Sequence, residues 1–180
     1  MAKKSKGLAG AKGRIAKKAV RIIETPIENV KLWDVGKYGT LKKSGGRDGM
    51  QMDHIPSKAA RVKHAENVLG RKLTDREKRI IMNEAGAVAV TEEDHRGISR
   101  TFGPRNTPEQ IAADADDLKG AIDRDLEVYK DRLKADGVSE KELKKALNDL
   151  LQPDKLTKEY YEELFAEPEK NESEKKKKSK

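Results

Sequence analysis

Apolar positions recur along this chain with two different periods. Ile111, Ala115, Leu118, Ile122, Leu126, Tyr129 and Leu133 follow one another at spacings of three and four, the repeat of one helical face. Thr107-Pro108-Glu109-Gln110 opens that helix and Gly137 stops it. Ser139-Glu140-Lys141-Glu142 caps a further helix carrying Leu143, Leu147, Leu150 and Leu151, which ends before Pro153, and a short helix follows over 158–165. Earlier in the chain Ser57 caps a helix over 58–69, with Ala59, Val62, Ala65 and Leu69 on one face and Gly70 as its stop. Thr74-Asp75-Arg76-Glu77 is a capping box that starts a helix reaching about residue 84. Two short apolar runs, 50–55 and 85–90, read instead as strands, the first closed by Pro56, which biases Ile55 away from helix. Thr91-Glu92-Glu93-Asp94 caps a helical turn carrying His95, Arg96, Ser99 and Arg100, and 102–106 ends it. The pattern predicts an α+β fold, mostly helical with a small two-stranded element.

The remaining segments are less regular. Residues 14–23 predict at most a weak helix, stopped by Pro26, and 27–32 reads as extended. In 33–42 two glycines stand among aromatics, which reads as a loop or turn packed on the core, with Trp33 and Tyr38 as anchors. Residues 44–49 read as a flexible turn, and no internal repeat is visible.

Composition sharpens the ends of the domain. Of the 180 residues, 40% are charged and only 34% hydrophobic, so the core is small and the tails are expected to be disordered. The organisation that follows is a flexible basic arm over 1–26, one domain over 27–166 with halves 27–106 and 107–166, and a disordered tail over 167–180 that includes the Lys175–Lys178 run. Charge is unevenly spread: residues 1–63 hold 16 Lys+Arg against 5 Asp+Glu, whereas 107–166 hold 10 against 16. One side therefore suits a polyanion and the other faces away from it. There is no cysteine, which excludes disulfides, thiolate zinc sites and cysteine nucleophiles. No apolar run approaches a membrane span, and Leu8-Ala9-Gly10-Ala11 is too short for a signal sequence. No leader of its own is expected, and a delivery route for the protein would be a secretion system.

The chemistry-bearing residues lie at the two strand ends. Only three histidines are present; His54 follows Asp53 at the end of the first strand and His95 follows the second. A strand-end histidine serves as a general base when its other ring nitrogen is oriented and its pKa suits neutral pH. Asp53 and His95 are the candidate metal ligands, with His54 and His95 the candidate catalytic histidines. The third, His64, lies on a helix beside Val62 and Ala65 and reads as a surface or boundary residue.

Asp53-His54-Ile55-Pro56, followed by 87–100 with Glu93-Asp94-His95-Arg96 at its centre, resembles the HNH, or His-Me finger, nucleases, in particular the nuclease toxin domains of bacterial polymorphic (Rhs-type) toxins. Residues 33–41 and 99–106 resemble segments flanking such domains, and the resemblance covers roughly 30–135. It implies a ββα-metal-like element that holds one divalent metal ion, Mg²⁺ or Zn²⁺, through Asp53 and His95, with His54 as general base. Ser99 stands where many relatives carry a further histidine, and both Asn83 and Asn106 remain candidates for the motif's middle asparagine that orients the base. Lys42, Lys43, Arg47, Arg96, Arg100 and Arg105 are the expected grips on nucleic acid.

The resulting expectation is a metal-dependent endonuclease toxin with little sequence specificity. It would act on DNA rather than RNA in the bacterial cytoplasm and have a cognate immunity protein as partner. Two other readings stay open: a basic nucleic-acid- or ribosome-binding protein without enzymatic activity, and a metal-independent ribonuclease using His54 and His95.

Overall fold

Four short strands build one sheet: β1 (Ile22–Ile23), β2 (Val35–Lys37), β3 (Met50–His54) and β4 (Gly86–Thr91), in the spatial order β1-β2-β4-β3. The computed structural model describes residues 18–166, so the expectations for most of the basic arm and for the tail 167–180 lie outside the described residues. β1 runs parallel to β2, and β4 is antiparallel to both β2 and β3. The sheet thus has two strands more than the pattern predicts. β1 is two residues long and β2 three, too short for a period of two to show.

Two segment readings change with these strands. Ile22–Ile23 pairs in the sheet where a weak helix was expected. Its neighbour Arg21 forks both carboxylate oxygens of buried Asp34, so the folded unit begins inside the stretch assigned to the arm. The glycine-spaced aromatics of 33–42 form β2 and a short helix, α1 (Tyr38–Lys43), rather than a loop. Gly36 allows that close packing: a side chain there would bring its Cβ within 2.7 Å of the Ile23 carbonyl oxygen and 3.3 Å of Leu41.

β4 is an inner strand, paired on both sides, and its first five residues are buried. Val88 and Val90 join the larger core, whereas Ala87 and Ala89 join a smaller one with Ile23, Val30 and Leu41. Alternation along the strand thus separates two faces. The larger core is roofed by helices: α2 (Lys58–Leu69), α3 (Asp75–Glu84), α6 (Leu118–Glu127), α7 (Lys130–Ala135), α8 (Glu140–Leu151) and α9 (Lys158–Ala166), with α5 (Pro108–Asp116) packed on α2. The caps read from the sequence are in place. Ser57 accepts from the Ala60 amide, Thr74 and Glu77 form the reciprocal box, and Ser139 accepts from the Glu142 amide.

The long helix expected over 107–136 is three helices. Asp117 leaves the helical conformation and its side chain accepts from the Gly120 amide at 2.9 Å, ending α5 and capping α6. Between α6 and α7 the backbone at Val128 and Tyr129 stays close to helical, which is why the apolar stripe passes through the break undisturbed. Among the described residues no helix is long and apolar enough to cross a membrane.

Candidate active site

β3 and β4 pair in register so that Asp53 lies opposite Val88 and His54 opposite Ala87. Neighbouring residues of a strand point to opposite faces. Asp53 therefore belongs with the larger core and His54 with the smaller one, and the strand divides the Asp-His doublet between them.

On the smaller side the His54 ring stacks on Tyr38, with centroids 4.1 Å apart and planes 24° from parallel. Its Nε2 lies 3.3 Å from the Met82 carbonyl oxygen. A carbonyl only accepts, so this contact assigns the proton to Nε2 and leaves Nδ1 as an acceptor. Burial pushes the His54 pKa down to about 4, against the opposing pull of the Met82 carbonyl and of Asp53. The imidazole is neutral at pH 7, as a general base must be. His95 and Lys58 are near enough for their charges to disfavour a proton on His54.

On the larger side Asp53 is buried, and its two oxygens have different partners. Oδ2 accepts from the Tyr129 hydroxyl at 2.8 Å, and Oδ1 lies 3.4 Å from Nε2 of His95. His95 stands on α4 (Glu92–Gly97), which follows β4 without a linker. Thr91 fixes that corner by accepting from the Asp94 amide at 3.0 Å, and the buried Asp94 carboxylate pairs with Arg132 at 3.1 Å. The Phe102 and His95 rings pack nearly perpendicular, with centroids 5.0 Å apart. β3, β4 and α4 thus deliver Asp53 and His95 to one point, with 22% of the His95 side chain open to solvent.

Among the described residues no group of three or more His, Asp or Glu side chains is placed to hold a metal ion. Asp53 and His95 nevertheless have the spacing of two neighbouring ligands. Donors about 2.0–2.1 Å from a tetrahedral ion lie about 3.3 Å apart, close to the 3.4 Å found here. One imidazole nitrogen and one carboxylate oxygen at this spacing suit tetrahedral Zn²⁺, with its other positions left to water or phosphate oxygen; adjacent donors of an octahedral Mg²⁺ would lie closer, about 2.9 Å apart.

The expected phosphate grips divide into two groups. Lys42, Lys43 and Arg47 are exposed. Lys42 and Arg47 line a cleft with Tyr38, Met50 and Met52, on the His54 side of the sheet. Arg100 is a correction: it lies beyond α4, and its guanidinium spans Asp114 at 2.6 Å and Asp125 at 2.8 Å, so it holds the fold rather than a substrate. Arg96 is exposed and pairs with Glu92 at 2.7 Å, one turn back on α4. Arg105 donates to the Gly97 and Arg96 carbonyls and lies over the Phe102 ring. α4 ends at Gly97, so Arg100 does not continue the helical face that carries His95 and Arg96.

Neither candidate asparagine is the hydrogen-bond partner found for His54, whose Nε2 faces the Met82 carbonyl oxygen. Asn83 is exposed and packs beside Gly39. Asn106 donates to the Ser57 hydroxyl at 3.3 Å and accepts from Gln110. Ser99 is buried beside Tyr129, and its hydroxyl bonds to that phenol. His64 is half-buried on α2, its Nδ1 2.9 Å from the Ala115 carbonyl oxygen.

Two aromatic residues of the site were read only as packing. Tyr129 lies within an apolar stripe, and its one distinguishing mark is a hydroxyl that burial obliges to find a partner. Tyr38 is half-buried and packs on the smaller core, as expected, and it also stacks on His54. Met82 contributes a main-chain atom and leaves no trace in side-chain chemistry.

No family model matches this chain, and no solved structure matches it. Over 122 residues, 66% of its length, it is 41% identical to a protein named Deoxyribonuclease CdiA from Dickeya dadantii (strain 3937). The chain spans 4% of the length of that relative.

Proposed function

We propose that this chain is a nuclease toxin domain: a metal-dependent endonuclease that hydrolyses phosphodiester bonds of DNA with little sequence specificity. The observation that carries the reading is the neutral, carbonyl-oriented His54 next in sequence to the Asp53–His95 pair. The deoxyribonuclease named among its relatives supports DNA as substrate. The antiparallel pairing of β3 with β4 and the direct run of β4 into α4 support the HNH, or His-Me finger, assignment; two helices, α2 and α3, stand between the paired strands here.

His54 would receive a proton from water at Nδ1 while the water oxygen forms the new bond to phosphorus. The bond from phosphorus to the leaving oxygen breaks, and that oxygen ends protonated. The Met82 carbonyl engages Nε2 and so leaves Nδ1 as the accepting nitrogen, and the Tyr38 face supports the ring. Asp53 and His95 would hold the divalent ion, Mg²⁺ or Zn²⁺, which when bound stabilises charge on phosphate and leaving oxygens. Lys42, Lys43 and Arg47 would grip the backbone on the His54 side. Such contacts carry no sequence information, and this supports cleavage without marked specificity. The site of action would be the cytoplasm of a bacterium, and an immunity protein would neutralise the domain.

Incubating the purified chain with plasmid and with total RNA, with added Mg²⁺ or Zn²⁺ and with EDTA, tests this. Plasmid nicking that EDTA abolishes is the expected result. RNA cleavage insensitive to EDTA would replace the reading with a metal-independent ribonuclease, and binding without cleavage of either polymer would overturn the enzyme.

A further inference from the structure

We infer that Tyr129, held by Ser99, is a positioning residue that sets the Asp53 carboxylate towards His95. The inference rests on the proposed role of Asp53 and His95 as the ion-holding pair and adds to it the group that prepares them. A carboxylate on a strand rotates about its last bond unless one oxygen is fixed. The Tyr129 hydroxyl donates to Oδ2 at 2.8 Å, which leaves Oδ1 as the oxygen facing His95 at 3.4 Å.

Tyr129 is itself immobilised. It is 1% exposed, its ring meets Trp33 edge-on at 5.7 Å, and the Ser99 hydroxyl bonds its oxygen. Trp33 in turn donates through Nε1 to Asp136 at 2.8 Å. The stripe through Ile122, Leu126 and Leu133 needs only bulk at this position, which leucine would supply. A phenol there adds one directed hydrogen bond, and it reaches across from 107–166 to the strand that carries the candidate chemistry. Partners one step behind metal ligands fix their orientation, and losing one typically costs about 10–100-fold in metal affinity or activity.

Tyr129→Phe removes the hydroxyl and keeps the ring. Zn²⁺ and Mg²⁺ titrations, plasmid cleavage and thermal melting are compared for wild type, Tyr129→Phe, Asp53→Asn and the double variant. The expected result is at least a tenfold loss in metal affinity and in kcat for Tyr129→Phe, with KM for plasmid within twofold and a folded melt. The double variant should be no worse than Asp53→Asn alone. Wild-type metal affinity and kcat in Tyr129→Phe would overturn the inference. If Tyr129→Phe does not fold, Ser99→Ala takes its place, with a loss in the same direction expected and no loss overturning it. If wild type neither binds metal nor cleaves, the proposed function fails, and the inference is then read from the Nε2 resonance of His95. Displacement of that resonance in Tyr129→Phe upholds the positioning role, and an unmoved resonance ends it.

Discussion

Asp53 and His54 are consecutive in sequence yet face opposite sides of β3, and each is held by a different part of the chain. Asp53 is answered by Tyr129 from the beginning of α7, whereas His54 lies on Tyr38 of α1 and points Nε2 at Met82 of α3. A metal ligand and a base that were side by side on one face would compete for the same space. In the proposed mechanism the strand divides them, and both would reach a phosphate only where the strand stops; β3 stops at His54.

Replacing His54 by alanine should abolish cleavage while leaving the fold. Loss of a general base costs about 10²–10⁴-fold in rate, whereas His54 is only half-buried and its removal leaves both cores intact. Plasmid nicking and a thermal melt measured on the same preparation check the two halves of this statement. Cleavage at the wild-type rate would move the chemistry away from β3.

The pH profile should carry the His54 signature. Because its folded pKa is about 4 against about 6.5 in an unfolded chain, the acid limb of cleavage should fall near pH 4 and not near pH 6.5. The same shift acts on stability. The unfolded chain takes the proton first, so the contribution of His54 is full above pH 6.5 and declines as pH falls towards 4, by at most about 3 kcal/mol. Urea denaturation of wild type and His54→Ala between pH 4 and 7 should show that this slope disappears in the variant.

Asp125 should slope the other way. It is 3% exposed, one of its oxygens has no partner, and burial pushes its pKa up to about 7 although Arg100 opposes the shift. The folded chain therefore holds this proton from pH 7 downward, and the unfolded chain only from about 3.9. Stability from this group rises as pH falls from 7 towards 4. Asp125→Asn should remove that gain, so denaturation midpoints of the variant should drop more steeply than those of wild type on acidification. Identical slopes would mean that Asp125 is charged throughout.

How much of this was legible in sequence depends on the length scale of each signal. The caps at Ser57, Thr74, Thr91 and Ser139 are local hydrogen bonds, and all four were readable and are formed. β1 and β2 are defined by pairing with distant residues and are too short to carry a period, so they were not. The helix breaks at Asp117 and Val128 contain neither glycine nor proline, and the stripe hid them. At the site, the Asp-His doublet and His95 were visible as residue types. Arg100 was misread because its partners, Asp114 and Asp125, lie on helices that a linear reading does not bring next to it.

The two proposed metal donors should behave as one site. Asp53→Ala and His95→Ala should each weaken divalent-ion binding, and the double variant should lose less than the sum of the two, since atoms 3.4 Å apart would serve one ion. Calorimetric titration with Zn²⁺ or Mg²⁺ of both single variants and the double decides it. Unchanged affinity in either single variant removes that residue from the ion's surroundings.

The grip on polyanion should be separable from the site. Residues 1–17 carry Lys3, Lys4, Lys6, Lys12, Arg14 and Lys17 without an acid among them. The cut belongs at 17 and no later. The Lys18 amide bonds to the Gly137 carbonyl at 2.9 Å and Arg21 forks Asp34, so a longer deletion would damage the sheet and confuse binding with folding. Each cation that neutralises a phosphate of duplex DNA contributes about 0.9 log unit of affinity per log unit of salt. Removing 1–17 should therefore lower affinity at low salt and flatten its salt dependence, while the melt and the cleavage rate at saturating DNA stay as in wild type. A truncated chain with the full salt slope would assign the grip to Lys42, Lys43 and Arg47 instead. In that case their joint replacement by alanine, which leaves the Tyr38–His54 stack in place, should produce the flattening that the deletion did not.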